Sequence, residues 1–200
     1  MIATPSTVVP LAPSWGASAA QSFTQREQLP LQANQLWLIE SGIVKTLTWS
    51  EEGYSTLLGI WGPGDIIGRP LVGLNPYQAF CLTPAVAAPL PKDEWPDMSQ
   101  ALVRHIRHSN VLMELLHIPQ ADVRIFRALS WLTQRFGLQY PEGRQLSFHV
   151  THQDLADLTG LTRVTVTRLL NELDKQGLIH RQKRLITITA NNDPFWHYEI

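Results

Sequence analysis

Two hundred residues, of which 44% are hydrophobic and only 16% charged, can bury one large core or two small ones, and the formal net charge is −1. No stretch approaches the roughly 20 apolar residues of a membrane-spanning helix, and no basic residue precedes Arg26, so neither an anchor nor a secretory signal is expected and the protein reads as cytoplasmic. The single cysteine, Cys81, excludes an internal disulfide, a zinc knuckle and a four-thiolate cluster, and reads as a small buried hydrophobe.

Residues 1–20 are rich in Pro, Ala and Ser without a sustained period, which predicts an extended or disordered leader. Residues 21–96 form the next unit. From Gln35 to about Leu90, short runs such as QLWLIESGIVKTLTW, YSTLLGIW and AFCLTPAVAAPL are broken by Gly42, Gly53, Gly62, Gly64 and Gly68. Short strands at that spacing predict a small antiparallel barrel or roll.

After Pro96 the period becomes helical. Over residues 97–117, Leu102, Ile106, Ser109, Met113 and Leu116 follow alternating steps of four and three, a short heptad seam with one polar member. Such a face can be buried on the chain's own roll or pair with the same helix of a second subunit, and the character of the C-terminal segment favours the pairing. Pro119 interrupts, and ADVRIFRALSWLTQRFG resumes a helix with Val123, Phe126, Leu129, Leu132 and Phe136 on one side and Gly137 at its end.

Residues 118–200 complete an α+β chain with a winged helix-turn-helix. In THQDLADLTGLTRVTVTRLLNELDKQGLIHRQKRLITIT, Thr151 and Asp154 have capping-box spacing, Gly160 permits a sharp turn, and Thr162 can cap the next helix. At about 100° per residue, Val166, Leu169, Leu170 and Leu173 fall on one arc of that helix, and Arg163, Val164, Thr167, Arg168 and Asn171 on the other. The outer arc suits a major groove about 12 Å wide: Arg163 and Arg168 can each donate two hydrogen bonds to guanine, and Val164 can pack on a thymine methyl. Thr151, His152, Thr162 and Thr165 suit phosphate oxygens, which set register without reading sequence. After Gly177 an alternating segment around a basic turn predicts a β-wing that brings Lys183 and Arg184 to the DNA backbone. The segment from Thr151 to Ala190 is net basic and the remainder net acidic, as expected when one end of a chain meets nucleic acid.

The same residues resemble the helix-turn-helix of the Crp/Fnr family of bacterial regulators, and RVTVTRLL is similar to the recognition helix of the cyanobacterial global nitrogen regulator. The resemblance runs more weakly over about residues 26–190. It implies a cyclic-nucleotide-binding-type β-roll, a long dimerisation helix over Met98 to His117, base contacts from Arg163, Val164 and Arg168, and a homodimer on palindromic double-stranded DNA with RNA polymerase as a further partner. Val164 stands where a cAMP receptor has glutamate, a departure that should alter the preferred bases, and the similarity to the nitrogen regulator implies GTA and TAC half-sites. GPGDIIG matches the glycine-bearing turn that enters the family's effector pocket and leaves Gly68 and Arg69 as its candidate residues. The chain departs from the family after Gly68, where RPLVGLNPYQAF lacks the Arg-Ser or Arg-Ala pair that clamps a cyclic phosphate, so control by cAMP is not expected. The roll is also short for the family, which is consistent with a degenerate or effector-free sensor, and no cofactor is expected.

The same residues bear on other classes. A cupin-like metal roll lacks imidazoles, since the first histidine is His105, and neither a Ser-Gly elbow nor a Cys/His pairing supports nucleophilic catalysis, so the chain reads as a non-enzyme. A haem- or metal-dependent sensor using His105, His108 or His117, and a winged helix that docks protein without DNA, stay open as alternatives.

Overall fold

The computed structural model describes residues 20–189, so the expected leader lies outside the described residues except for Ala20. The described residues begin with an antiparallel roll in which seven strands are seen: β1 (Gln21–Phe23), β2 (Leu36–Ser41), β3 (Val44–Trp49), β4 (Ser55–Trp61), β5 (Ile66–Gly68), β6 (Gln78–Cys81) and β7 (Ala85–Leu90). They form two sheets, β1-β7-β2-β5 and β4-β3-β6. Period-2 alternation explains the packing: Val44 and Thr46 on β3, and Ala79 and Cys81 on β6, turn inward with almost no exposed surface. Burial pushes the Cys81 thiol up to about 11, with Glu27 adding to the shift, so it stays protonated as an inert core group.

A short 3-10 segment, Lys92–Met98, leads into α1 (Ser99–His117). Ala101, His108, Leu112 and Leu115 bury its inner face, whereas Ile106, Met113 and Leu116 of the expected seam are 59%, 56% and 45% exposed and Leu102 and Ser109 are half-buried. The two faces of α1 are thus distinct, one packed on its own body and one turned outward.

α2 (Ala121–Phe136) ends at Gly137, as its sequence predicts, but its inner face is rotated from the expected one. Ile125, Ala128, Leu129 and Leu132 have no exposed surface, while Val123 is 41% exposed and Phe126 and Phe136 lie at the margins. The expected series advances mostly by threes, and each three-residue step drifts about 60° around a helix of 3.6 residues per turn, so it spirals off the buried stripe. Each fully buried leucine there contributes about 1.5–3 kcal/mol through burial.

The C-terminal unit contains β8 (Gly137–Tyr140), β9 (Gly143–Leu146), α3 (His152–Thr159), α4 (Arg163–Lys175), β10 (Ile179–Gln182) and β11 (Leu185–Thr189), with a sheet ordered β10-β11-β9-β8. The β8–β9 hairpin is an addition to the elements expected from sequence. One continuous apolar cluster joins the inner faces of α1, α2, α3 and α4 to Ile43, Leu57 and Ile60 of the roll. A buried ion pair reinforces this junction: Asp65, in the GPGDIIG turn, accepts the Gly62 amide at 2.7 Å and pairs with Arg135 of α2, whose Nη1 also donates to Ile60 O at 3.0 Å. No helix among the described residues is long and apolar enough to cross a membrane.

Candidate nucleic-acid interface

The first of the two C-terminal helices is fixed by its cap. Thr151 Oγ1 accepts the Asp154 amide at 3.0 Å, and the Asp154 carboxylate accepts the Thr151 amide at 3.1 Å and the Thr151 hydroxyl at 2.7 Å. Reciprocal bonding of this kind leaves few unpaired groups at the helix start. Lys45, on β3, reaches the other oxygen of the same carboxylate at 2.5 Å, so the roll is bolted to the cap of α3. Burial works to raise the Asp154 pKa, but the Lys45 and Thr151 contacts outweigh it and hold the carboxyl below its ordinary value.

Gly160 makes the turn. Its φ of 66° lies in the left-handed region that a side chain resists, and its amide caps α3 by donating to Ala156 O. Two residues later Thr162 Oγ1 accepts the Thr165 amide at 3.1 Å and starts α4, and the two threonine hydroxyls lie 2.8 Å apart. One hydroxyl proton closes that contact, which leaves the other free to point outward.

α4 is two-faced as its periodicity predicts. Val166, Leu169, Leu170 and Leu173 are buried, whereas Arg163, Val164, Arg168 and Asn171 are exposed and Thr167 is half-buried. Val164, at 79% exposure, is the most exposed large apolar side chain among the described residues, an expensive place for a valine unless something covers it. Arg168 is steadied by Glu172 at 2.7 Å across one helical turn, in water and therefore weakly.

The wing follows. β10 and β11 pair with Gln182 opposite Leu185, and the two residues between them, Lys183 and Arg184, both take positive φ, 47° and 71°. That is the pattern of a tight I′ hairpin turn, and it pushes two cationic side chains to the tip. Arg181 takes another course: its Nε donates to Asp174 at 3.0 Å and its Nη2 to Asn171 Oδ1 at 2.7 Å, which fastens the wing to the back half of α4.

The structure therefore places Arg163, Val164 and Arg168 on one outward face, Thr162 and Thr165 at the start of that helix, Lys183 and Arg184 at the wing tip, and Thr151 and His152 at the start of α3. The Thr151 hydroxyl is already committed to Asp154, and His152 Nδ1 lies 2.8 Å from Thr167 Oγ1. Sequence reasoning missed the Lys45 bolt, which spans 109 positions and leaves no local signal, and the Arg181 clasp, whose partners lie on α4.

In the roll, the candidate effector residues sit at the end of β5. Gly68 pairs with Leu36 on β2, where a Cβ would stand 2.4 Å from Gln35 O, so this glycine allows a close strand approach. Arg69 begins a short 3-10 turn and holds its Nε buried without a hydrogen-bond partner among the described residues. The roll interior is packed with Trp37, Trp61 and Tyr77, and the Trp61 indole donates to Thr46 Oγ1 at 2.8 Å and stacks on His105 at 4.3 Å. Burial holds His105 below its ordinary pKa and, with Arg135 and the neighbouring His105 and Arg104, pushes His108 down to about 3, so both rings are neutral packing groups.

Comparison with known proteins agrees with this architecture. Residues 123–191 match the Crp-like helix-turn-helix domain. The chain is 38% identical over 182 residues to the regulatory protein CysR of Synechococcus elongatus, covering 90% of this chain and 88% of that protein. It is 26% identical over 175 residues to the fumarate and nitrate reduction regulatory protein of Escherichia coli, covering 81% of this chain and 70% of the relative. A crystal structure of a CRP-family transcriptional regulator from Thermus thermophilus superposes with a TM-score of 0.73 at 25% identity, over 85% of this chain and 92% of that one. The superposition spans roll, long helix and helix-turn-helix together, the relatives are regulators and not enzymes, and the chain belongs to the Crp/Fnr family of transcription regulators.

Proposed function

We propose that this regulator acts as a cytoplasmic homodimer that reads a palindromic DNA site with GTA/TAC-like half-sites, independently of cAMP. The observation that carries the reading is the outward face of α4, where two guanidinium groups flank a valine at 79% exposure. In this reading Arg163 and Arg168 donate to guanine edges, Val164 packs on a thymine methyl, and Thr151, His152, Thr162, Thr165, Lys183 and Arg184 line the phosphates. Since the Thr151 hydroxyl is held by Asp154, a phosphate there must be met by rotation of that hydroxyl or by neighbouring amides.

The outward stripe of Leu102, Ile106, Ser109, Met113 and Leu116 supplies the dimer seam, because three exposed apolar side chains on one helix face are covered most simply by the same face of a second copy. Two recognition helices about 34 Å apart then meet successive major grooves, and RNA polymerase is the partner that the bound dimer engages. Gly68 and Arg69 mark where a small-molecule effector would approach the roll. Arg69 brings one cation there and no adjacent Ser or Ala to complete a cyclic-phosphate clamp, which supports independence from cAMP.

Selection of bound fragments from random duplex DNA by the purified protein tests this. Enrichment of an inverted repeat, with binding that weakens steeply as salt rises, is the expected result. Failure to enrich any sequence, or a strictly monomeric particle on a single half-site, overturns it.

A further inference from the structure

His152 is the first residue of α3, and its ring is half-buried against α4. Its Nδ1 lies 2.8 Å from Thr167 Oγ1, and that hydroxyl lies 2.9 Å from the carbonyl oxygen of Arg163, one turn earlier on α4. A hydroxyl has one proton to give, and a backbone carbonyl can only accept. The Thr167 proton therefore goes to Arg163, its lone pair faces His152, and the ring supplies the proton at Nδ1. In a neutral imidazole a proton on Nδ1 leaves Nε2 as a bare lone pair.

A bare lone pair repels a phosphate oxygen, which is itself only an acceptor. A second proton at Nε2 reverses this, since it creates a charged donor without disturbing the Thr167 contact. The ring is held neutral first by burial and then by the cations that face it, Arg181 from β10 and Arg163 from α4, with His149 in the segment before α3, all of which lower its pKa. An arriving phosphate offsets those cations.

We infer that His152 is a proton-linked phosphate clamp, which contacts the DNA backbone only on taking up a solvent proton at Nε2, with Thr167 as the residue that positions the ring and fixes its tautomer. The inference rests on the DNA-reading function proposed above. It ties backbone register to base readout, because the bonded chain from Nε2 through Nδ1 and Thr167 ends on the backbone of Arg163, the first base-reading residue.

The test is calorimetric titration of the selected duplex into the intact protein between pH 6 and 8 at fixed ionic strength, in two buffers of different ionisation enthalpy. The wild type is expected to take up close to one proton per protomer within this range, with affinity falling by up to about tenfold per protomer for each pH unit between the free and bound pKa values. His152→Gln offers a donor that does not titrate, so it is expected to bind with little pH dependence, whereas His149→Gln keeps the slope. In the free protein, ¹⁵N shifts should show His152 protonated at Nδ1, and Thr167→Val should lower that tautomer's share. Wild-type binding without proton uptake, or a slope unchanged in a folded His152→Gln protein, overturns the inference. A wild type that binds no duplex at any pH instead removes the DNA-reading function beneath it.

Discussion

Replacing Lys45 by Met removes the charged side chain that reaches the cap of α3 from the roll, and the consequence follows from the burial of its partner. The Asp154 side chain is 4% exposed and keeps its bonds to Thr151, while Lys45 is 21% exposed. Removing one partner of a fully buried pair costs about 3–5 kcal/mol, because the remaining charge is stranded. The partial exposure of Lys45 and the surviving Thr151 contacts discount this to about 1–3 kcal/mol, a fall of roughly 2–12 °C in melting temperature for a chain of this size. Because the folded-state pKa of Asp154 is depressed, its contribution is fully present above the unfolded-state value of about 3.9 and is lost as pH falls through the folded value. The gap between wild type and Lys45→Met should therefore be constant from about pH 5 to 7 and close below about pH 4. Denaturant unfolding of both proteins, with Asp154→Asn and the double variant completing a cycle, measures the coupling. Additivity within about 0.3 kcal/mol would refute the bolt between roll and cap.

Three further outcomes follow from single residues. Ile106→Asp and Met113→Glu, both at exposed positions, should leave the melting temperature of the isolated protomer nearly unchanged and shift light-scattering mass toward the monomer. Thr162→Ala removes the acceptor for the Thr165 amide and should cost about 1 kcal/mol of stability in chemical denaturation. Lys183→Ala, at the wing tip, should weaken binding to every duplex alike and reduce the slope of log affinity against log salt by about one.

What could be read from the chain and what could not divide along the range of the interactions. The helix-turn-helix was legible because its determinants are local: Thr151 and Asp154 stand three apart, Thr162 and Thr165 likewise, and the α4 stripe repeats within thirteen residues. The basic turn of the wing was legible for the same reason, read from the run Gln182, Lys183 and Arg184, although Gln182 proves to close β10 and only the two cations make the turn. The two-sheet arrangement of the roll was not, since alternation states that a strand is half-buried but not which strand lies beside it. α2 shows a subtler failure: Val123 and Phe126 are apolar, yet the stripe that packs is set by the neighbours on both sides of the helix and centres on Ile125, Leu129 and Leu132. The β8–β9 hairpin hides in GLQYPEGRQL, where Leu138 and Tyr140 alternate but face outward, at 57% and 43% exposure, so no buried face announces the strand. Ion pairs over long separations, Lys45 with Asp154 and Asp65 with Arg135, leave no trace in spacing at all.

The central claim is that the outward face of α4 reads bases directly, and the most direct measurement is the affinity of wild type and Arg163→Ala for every single-base variant of the selected palindrome. Direct readout predicts that the variant loses about 1–3 kcal/mol on the preferred site and discriminates no longer at one position in each half-site, while other positions keep their preferences. A uniform loss across all sequences, with discrimination intact everywhere, would contradict it.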